Sequence, residues 1–223
     1  MARLARVVVP DLPHHVTQRG NGRQRVFFSD DDYAHYLKLL KAACAAAQVR
    51  CLAYVLMPNH VHLILVPRDA AGLSKAMSSV HRAYAGHINA RRKKTGHFWQ
   101  GRFGCVAMDN MHAVAALRYV LLNPVRAKLS DRPEQWLWSS ARAYLKNRDD
   151  GLTETADLRE LYPDAKSLLA ESPEREMAEM LLRRAETIGR PLGGAAFLQK
   201  LEHKLNRPLK AAKRGPKPAE KES

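Results

Sequence analysis

The sequence has no long apolar segment and few cysteines. In its 223 residues, no apolar run approaches the roughly 18 residues that a membrane-spanning helix needs. Residues 1–10 contain only a short apolar stretch and no signal-peptide core. These absences predict a cytosolic protein that does not span a membrane. Cys44, Cys51 and Cys105 are an odd number of cysteines without metal-ligand spacing, so we expect them to pack as small hydrophobic side chains.

Acidic residues are few in comparison with basic ones. The chain has 22 Asp and Glu against 37 Lys and Arg, a formal net charge of +15. The whole excess lies in residues 1–148, which hold 23 basic and 8 acidic residues, whereas residues 149–223 hold 14 of each. This asymmetry indicates a basic body that binds a polyanion. A basic surface that only aids solubility, a ribosomal partner and an anionic membrane surface are the alternatives.

The overall composition is that of a globular protein. Hydrophobic residues make up 46% and charged residues 26%, which excludes wholesale disorder and fibrous repeats. The length fits a domain of about 150 residues with an appendage. A polar stretch at residues 146–151 is a candidate boundary. We therefore expect a domain at residues 1–148, a helical accessory extension at 149–212 and a disordered basic tail at 213–223.

Hydrophobic periodicity predicts the order β-α-β-β-α-β in the first domain. The predicted strands are residues 14–19, 49–57, 60–66 and 105–108. One helix begins at a capping box at Ser29, and a second covers residues 73–92. This order is typical of ferredoxin-like α+β domains, in which helices cover one face of an antiparallel sheet and the other face is left for a site. An additional helix over residues 111–122 is expected to stop at Pro124, and the extension has helices after Pro173 and Gly194.

Two pairs of residues are candidates for chemistry. His60 and His62 are separated by one residue on the third predicted strand, so both imidazoles emerge on one face, about 6.8 Å apart along the backbone, and can converge on a metal ion. Tyr119 and Asn123 share one face of the additional helix, where an amide oxygen can complete a metal site or orient a phosphate. With ten histidines in the chain, the alternatives are a chance His-x-His pattern, a core tyrosine and a helix stop at Asn123.

Four segments occur together in an order that matches one protein family. They are PHHVTQRGN (residues 13–21), MPNHVHLI (57–64), FWQGRF (98–103) and YVLLNPVRA (119–127). The chain resembles the HUH single-tyrosine transposases. Among these it is most similar to the REP-associated tyrosine transposases, which are linked to repetitive extragenic palindromes in bacterial chromosomes. The resemblance covers residues 5–145, and the remainder matches only loosely, through residues 189–193 and the basic tail.

The resemblance implies a metal-dependent reaction with a covalent intermediate. It assigns a divalent cation, Mg²⁺ or Mn²⁺, to His60, His62 and Asn123, where the ion polarises the scissile phosphate. It also assigns Tyr119 as the nucleophile, which forms a 5′-phosphotyrosine and leaves a free 3′-hydroxyl. Two imidazoles and an amide are a weak mixed donor set, so we expect loose metal binding that the DNA phosphate supports. Zinc with a hydrolytic water is the chemical alternative, but no third His, Cys or carboxylate has suitable spacing.

Basic side chains near aromatic ones indicate a groove for single-stranded DNA, because phosphate attraction and base stacking then act together. Polar residues that flank the glycine loop after the first strand can read base edges beside a hairpin. The expected DNA-binding residues are Arg82, Arg91, Arg92, Trp99 and Arg102 in the groove, Gln18, Arg19, Arg23 and Arg25 at the loop, and Arg214 in the tail. Alternatively, Phe98 and Phe103 belong to the core and residues 91–94 form a solvated helix end. His15 either faces the site or packs within its strand.

These inferences predict a bacterial, nucleoid-associated enzyme that cleaves and rejoins single-stranded DNA at palindromic hairpins. We expect it to act as a monomer or homodimer, without a membrane partner. A hairpin-binding protein that has lost catalysis is the first alternative, although the presence of His60, His62, Tyr119 and Asn123 argues against it. A replication or relaxase nicking enzyme uses the same histidine pair, but the segment around Tyr119 favours a transposase. An RNA-directed nuclease is a further alternative, which ribose-containing substrates would test.

Overall fold

Four antiparallel strands form one sheet in a computed structural model that describes residues 6–170 and 173–209. The strands are β1 (His14–Arg19), β2 (Val49–Met57), β3 (His60–Pro67) and β4 (Gly104–Ala107), in the order β2-β3-β1-β4. The predicted strands agree with these bounds to within one residue at each end. The strand order and the intervening helices confirm the ferredoxin-like α+β fold.

Eight α-helices accompany the sheet among the described residues. They are α1 (Asp30–Ala46), α2 (Gly72–Arg91), α3 (Asn110–Arg126), α4 (Ala141–Lys146), α5 (Ala156–Leu161), α6 (Ala165–Leu169), α7 (Pro173–Ile188) and α8 (Ala195–Leu205). Helix α1 begins at the predicted capping box, in which Ser29 is the N-cap and the Asp32 carboxylate accepts hydrogen bonds from the backbone amides of Phe28 and Ser29. None of these helices is long and apolar enough to cross a membrane.

Helices α1 and α2 cover one face of the sheet. Because side chains alternate along β3, Val61, Leu63 and Leu65 point to this face and are fully buried. They pack in one core cluster with side chains such as Tyr36 and Met77 of the two helices, which are also fully buried. Each such side chain stabilises the fold by about 1.5 to 3 kcal/mol through burial. This core fixes β3, which carries the histidine pair.

The opposite face of the sheet was predicted to be open for a site, but in the structure it is largely covered. Helix α3 packs there on β2 and β3, and α6 and α7 pack in turn on α3, so that their buried side chains join Ile64 and Val66 of β3 in a second core cluster. The physical reason is that the alternate residues of the strands are also apolar, so both faces of the sheet are buried. The candidate site therefore lies under α3 and not on an exposed sheet surface.

Helix α3 was predicted to stop at Pro124, but in the structure it continues to Arg126. Proline removes one backbone donor, yet the turn after it is closed by hydrogen bonds from the amides of Ala127 and Leu129 to the carbonyls of Asn123 and Pro124. Both Asn123 and Pro124 are buried. Packing of this last turn on the body of the protein offsets the weak helical preference of the residue before a proline.

The segment after residue 148 packs against the residues before it. The backbone of Leu192 donates to the carbonyl of Ala107 at 2.8 Å and accepts from the amide of Asp109 at 3.0 Å, which extends the β4 edge of the sheet. Helix α7 contacts α3 and β4. The proposed domain limit at residue 148 stays a prediction. The basic tail at residues 213–223, with Arg214, lies outside the described residues.

The cysteines occupy packing positions. Cys44, Cys51 and Cys105 are free and buried. Burial raises the pKa of the Cys44 and Cys105 thiols to about 12, so neither is a reactive thiolate at neutral pH.

Candidate active site

The histidine pair lies at the start of β3, on the face that α3 covers. His60 is paired with Arg19 of β1 and Met57 of β2, and His62 with Thr17 and Val55 in the same strands. The rings of His60 and His62 are 4.8 Å apart between centroids and nearly perpendicular. The alternation predicted from the sequence therefore places both imidazoles on one side of the sheet, close together.

A third histidine, His15 of β1, completes this group. Its ring stacks on that of His62, with the centroids 5.1 Å apart and the planes within 4°. The Nε2 atom of His15 and the Nδ1 atom of His62 are 3.1 Å apart, at hydrogen-bond distance. Both residues are buried, so this contact fixes the orientation of the His62 ring.

Tyr119 of α3 meets the histidines edge to face. Its ring centroid is 5.2 Å from that of His62 and 6.0 Å from that of His15, with nearly perpendicular planes. Tyr119 is 8% exposed, and Asn123, one turn later on the same helical face, is 9% exposed. The structure thus brings the tyrosine of one predicted pair into contact with the histidines of the other.

The imidazoles are held in the neutral form. Burial lowers the pKa of His60 to about 4 and that of His15 to about 3. The pKa of His62 lies well below its ordinary value, first because of burial and then because of the neighbouring histidines, Arg19 and Arg183. Neutral imidazole is the form that binds metal ions, so the group is ready for coordination at neutral pH.

Hydrogen bonds leave one ring nitrogen of each predicted ligand for a metal ion. Nδ1 of His60 is 2.6 Å from Oδ1 of Asn59, and Nδ1 of His62 is engaged by His15, so Nε2 is the atom through which each ring would bind a cation. Such partners are typical of metal-binding histidines. Among the described residues, no group of three or more His, Cys, Asp or Glu side chains is placed to hold a metal. The predicted set of two imidazoles and an amide would therefore need further oxygen ligands from outside the protein to hold a cation.

The extension reaches this site through α7. Glu179 accepts a hydrogen bond from Nη1 of Arg118 and pairs with Nη1 of Arg126 at 2.6 Å, and both arginines belong to α3. The guanidinium of Arg126 lies 5.9 Å from the centre of the Tyr119 ring, and that of Arg183 lies 5.3 Å from it. Two positive charges therefore flank the tyrosine.

Residues 8–122, more than half of the chain, match the family model described as IS200-like transposase. The chain belongs to the IS200-like transposase family. This confirms at the family level the resemblance deduced from the four segments, and it makes the protein a DNA-processing transposase. No protein of curated function matches the sequence.

Two solved structures resemble this IS200-like transposase. One is described as a REP-associated tyrosine transposase bound to a REP hairpin. It aligns with 70% of this chain and 90% of that chain, with 18% identity and a TM-score of 0.57, which supports the fold. The other is a candidate transposase from Deinococcus radiodurans R1, which covers 60% of this chain and 98% of that chain with 16% identity. The TM-score of this second alignment is 0.38.

The glycine loop of the transposase lies beside the histidine pair. The amide of Gly20 donates to the carbonyl of Asn59 at 3.0 Å, and Nδ2 of Asn59 donates to the carbonyl of Arg23 at 3.2 Å. The loop therefore packs on the turn that precedes His60, with Arg23 and Arg25 exposed. Gln18, by contrast, is buried and donates to the carbonyl of Gly101 at 2.9 Å.

Most of the predicted groove lies on the other side of the sheet. Helix α2 carries Arg82, which is exposed, and Arg91, which forms a two-point ion pair with Asp32. The guanidinium of Arg92 stacks 3.9 Å above the Phe28 ring. These side chains belong to the layer formed by α1 and α2, opposite the histidines, so the structure does not bring them to the site.

The aromatic part of the predicted groove is mostly core. Phe98 and Phe103 are each 7% exposed and pack in the cluster under α1 and α2, which agrees with the alternative given above. Trp99 is partly buried, and its indole Nε1 donates to the carbonyl of His81 at 2.9 Å. Arg102 is exposed in the same loop.

The sequence leaves two alternatives for His15 and assigns no role to Arg126, Glu179 or Arg183. His15 is two residues before Thr17, the cross-strand partner of His62, so strand alternation places it on the same face as His62. Arg126 stands in the fourth motif segment, but nothing in the segment indicates its ion pair with Glu179. Glu179 and Arg183 are four residues apart in α7, so the sequence predicts that they share a face. No sequence pattern indicates that this face lies on α3.

Proposed function

We propose that this transposase is a metal-dependent enzyme that cleaves and rejoins single-stranded DNA at imperfect palindromic hairpins through a 5′-phosphotyrosine intermediate. The observation that carries the proposal is the contact between Tyr119 and the histidine group, in which the tyrosine ring meets His62 at 5.2 Å. This contact puts a phenolic nucleophile beside neutral imidazoles, which can bind an activating cation or accept a proton.

Tyr119 acts as the nucleophile in the cleavage step. Its phenolic oxygen attacks the scissile phosphorus, the bond from phosphorus to the 3′-oxygen breaks, and a 5′-phosphotyrosine forms. The phenol loses its proton to a base or to water, and the departing 3′-oxygen takes up a proton and becomes a hydroxyl. In strand transfer a 3′-hydroxyl attacks the phosphotyrosine, so the energy of the phosphodiester is kept and no external energy source is needed.

His60, His62 and Asn123 would hold Mg²⁺ or Mn²⁺ at this site. When bound, the ion polarises the phosphate and stabilises the charge that develops on its oxygens. The protein orients the ligands through the Asn59 and His15 hydrogen bonds, which fix the ring positions of His60 and His62. Because the protein supplies few donors, the DNA phosphate is expected to complete the coordination.

The hairpin would approach along the glycine loop. Arg19 is paired with His60 across the two central strands, and the loop with Arg23 and Arg25 packs on the turn before His60. These side chains can contact phosphates or base edges within reach of the histidines. Gln18, near the end of β1, is bonded to the neighbouring loop at Gly101, and this loop also carries Trp99 and Arg102. The remaining basic residues, Arg82, Arg91 and Arg92, would bind DNA only on the far face of the protein. Residues 1–148 would then form the catalytic domain, with the extension in an accessory role.

A covalent adduct assay tests the proposal. Wild type, Tyr119→Phe and the control Tyr162→Phe are incubated with labelled single-stranded hairpins in Mn²⁺ or in EDTA, and the products are separated on denaturing gels. We expect a protein-DNA band for wild type and Tyr162→Phe in Mn²⁺ alone, because Tyr162 bonds to Ser167 outside the site. Hairpin binding without any adduct would favour a binding protein that has lost catalysis. An adduct with Tyr119→Phe would remove Tyr119 as the nucleophile, and a ribose-containing hairpin in parallel tests the RNA alternative.

A further inference from the structure

Helix α7 is fixed on the tyrosine helix by charge and by apolar contact. Glu179 is 4% exposed, and its carboxylate binds Arg118 and Arg126 of α3 at the same time. Leu182 and Ala185, on the same helix, are 1% and 6% exposed and belong to the core cluster that also contains Tyr119. A helix held by both kinds of contact presents its other side chains at defined positions.

Arg183 is the side chain that this docking places beside Tyr119. It lies one turn after Glu179, and its guanidinium carbon is 5.3 Å from the centre of the Tyr119 ring. The side chain is exposed, whereas Tyr119 is 8% exposed, so Arg183 stands at the boundary between solvent and the buried ring. A ligand that reaches Tyr119 from solvent would meet this guanidinium.

The two arginines that flank the ring differ in their counter-charges. Arg126 is paired with Glu179. Among the residues whose side chains the structure describes, no carboxylate lies within ion-pair distance of Arg183. A guanidinium has a planar arrangement of donors that matches two oxygens of a phosphate, and it keeps its charge at every physiological pH. Arg183 therefore has the position and the chemistry to bind an incoming anion.

We infer that Arg183 is a phosphate-binding residue of the active site, through which the extension contacts the DNA phosphodiester that Tyr119 attacks. The inference rests on the proposed function for the identity of the anion. A positive charge at this point stabilises the negative charge on the phosphate oxygens as the phosphorus is attacked. The extension would then complete the catalytic site in addition to packing on it.

DNA binding tests this contact without any cleavage. In a Tyr119→Phe background, the affinity for a labelled hairpin with single-stranded flanks is measured by fluorescence anisotropy over a series of salt concentrations. We expect Arg183→Gln to reduce the salt dependence of log K by about 0.7, the value for one phosphate of a single strand. Arg183→Lys should keep the salt dependence of wild type, because lysine retains the positive charge. Arg184→Gln is the matched control, since it removes the same charge about 100° further around the same helix.

The rate of adduct formation gives the second readout. With Tyr119 intact, Arg183→Gln should slow adduct formation about 10- to 100-fold, the loss expected for a hydrogen bond to a charged group, and Arg183→Lys should restore part of the rate. Thermal unfolding of each variant checks that α7 is still docked. Equal salt dependence and equal rates for Arg183→Gln and Arg184→Gln would overturn the inference and leave the proposed function in place. A different result would separate the two proposals. If wild type forms no adduct, but Arg183→Gln lowers the salt dependence of log K and Arg184→Gln does not, then the phosphate contact of Arg183 is supported and the proposed tyrosine chemistry is contradicted.

Discussion

The Nε2 atom of His15 lies 3.1 Å from the Nδ1 atom of His62, on the neighbouring central strand. This contact decides which nitrogen of His62 faces the site, because the nitrogen that is engaged by His15 cannot also bind a metal ion. We therefore expect His15 to act on the reaction through His62, as a positioning residue. We expect Asn59, at 2.6 Å, to orient His60 in the same way.

Replacement of His15 should weaken metal binding more than DNA binding. In His15→Ala the His62 ring loses its orienting partner, and such losses reduce metal affinity or activity about 10- to 100-fold. The concentration of Mn²⁺ that gives half-maximal adduct formation should rise accordingly, with little change in hairpin affinity. His87→Ala, on the exposed side of α2, is the control. An unchanged Mn²⁺ requirement in His15→Ala would show that the contact with His62 has no positioning role.

Replacement of His62 should abolish cleavage and keep most of the hairpin binding. His62→Ala removes one of the two imidazole donors from a site that has few donors, so no cation is held at the phosphate. Adduct formation in Mn²⁺ and hairpin affinity in EDTA are measured on the same preparation. Cleavage by His62→Ala at the wild-type rate would contradict the metal assignment.

Glu179→Gln should destabilise the protein strongly. Arg118 is 2% exposed, and loss of the carboxylate leaves its charge buried without compensation, which costs about 3 to 5 kcal/mol. Urea unfolding followed by circular dichroism measures this change. Glu176→Gln is the control, because it lies on the same helix but is exposed, and it should change the free energy of unfolding by less than about 0.5 kcal/mol. Equal stability of the two variants would show that the ion pairs with Glu179 do not fix α7.

Asp32→Asn should lower stability at neutral pH but not in acid. Burial raises the pKa of this carboxyl, but hydrogen bonds from Arg91 and from the amides of Phe28 and Ser29 outweigh it, so the pKa lies below its ordinary value. The contribution of the carboxylate to the free energy of unfolding is therefore fully present above its pKa in the unfolded chain, about 3.9. It is lost as the pH falls through its lower pKa in the folded protein. We expect a loss of about 0.5 to 2 kcal/mol at pH 7, the range for a lost helix cap.

Urea unfolding of wild type and Asp32→Asn at several pH values measures the difference between their free energies of unfolding. This difference should stay constant from pH 7 to about pH 5 and become smaller below about pH 4. A difference that does not depend on pH would show that the charge of Asp32 is unimportant. The partner variant Arg91→Gln should lose stability as well, and an effect on DNA affinity alone would instead support the predicted role of Arg91 in DNA binding.

The strands, both ends of α2 and the starts of α1 and α3 could be predicted because they depend on local features. The short helices α4, α5 and α6 were not predicted. Alternation of apolar residues defines β3, and the sequence Ser29 to Asp32 contains the capping box of α1. The end of α3 was predicted wrongly, since the preference of a single residue before Pro124 was weaker than the packing of the last turn. The covered second face of the sheet was also missed, because alternation indicates that both faces are apolar but not which helix covers each face.

The sequence alone determined the strand that bears His60 and His62, the helix that bears Tyr119 and the family, because each depends on residues close together in the chain or on motifs in order. The tertiary structure decided which residues meet. It placed His15 against His62, separated Arg91 from the site through its ion pair with Asp32, and brought Arg183 to Tyr119 by docking α7 on α3. These contacts join residues far apart in the chain, and their free energy depends on burial and charge pairing that exist only once both cores have formed.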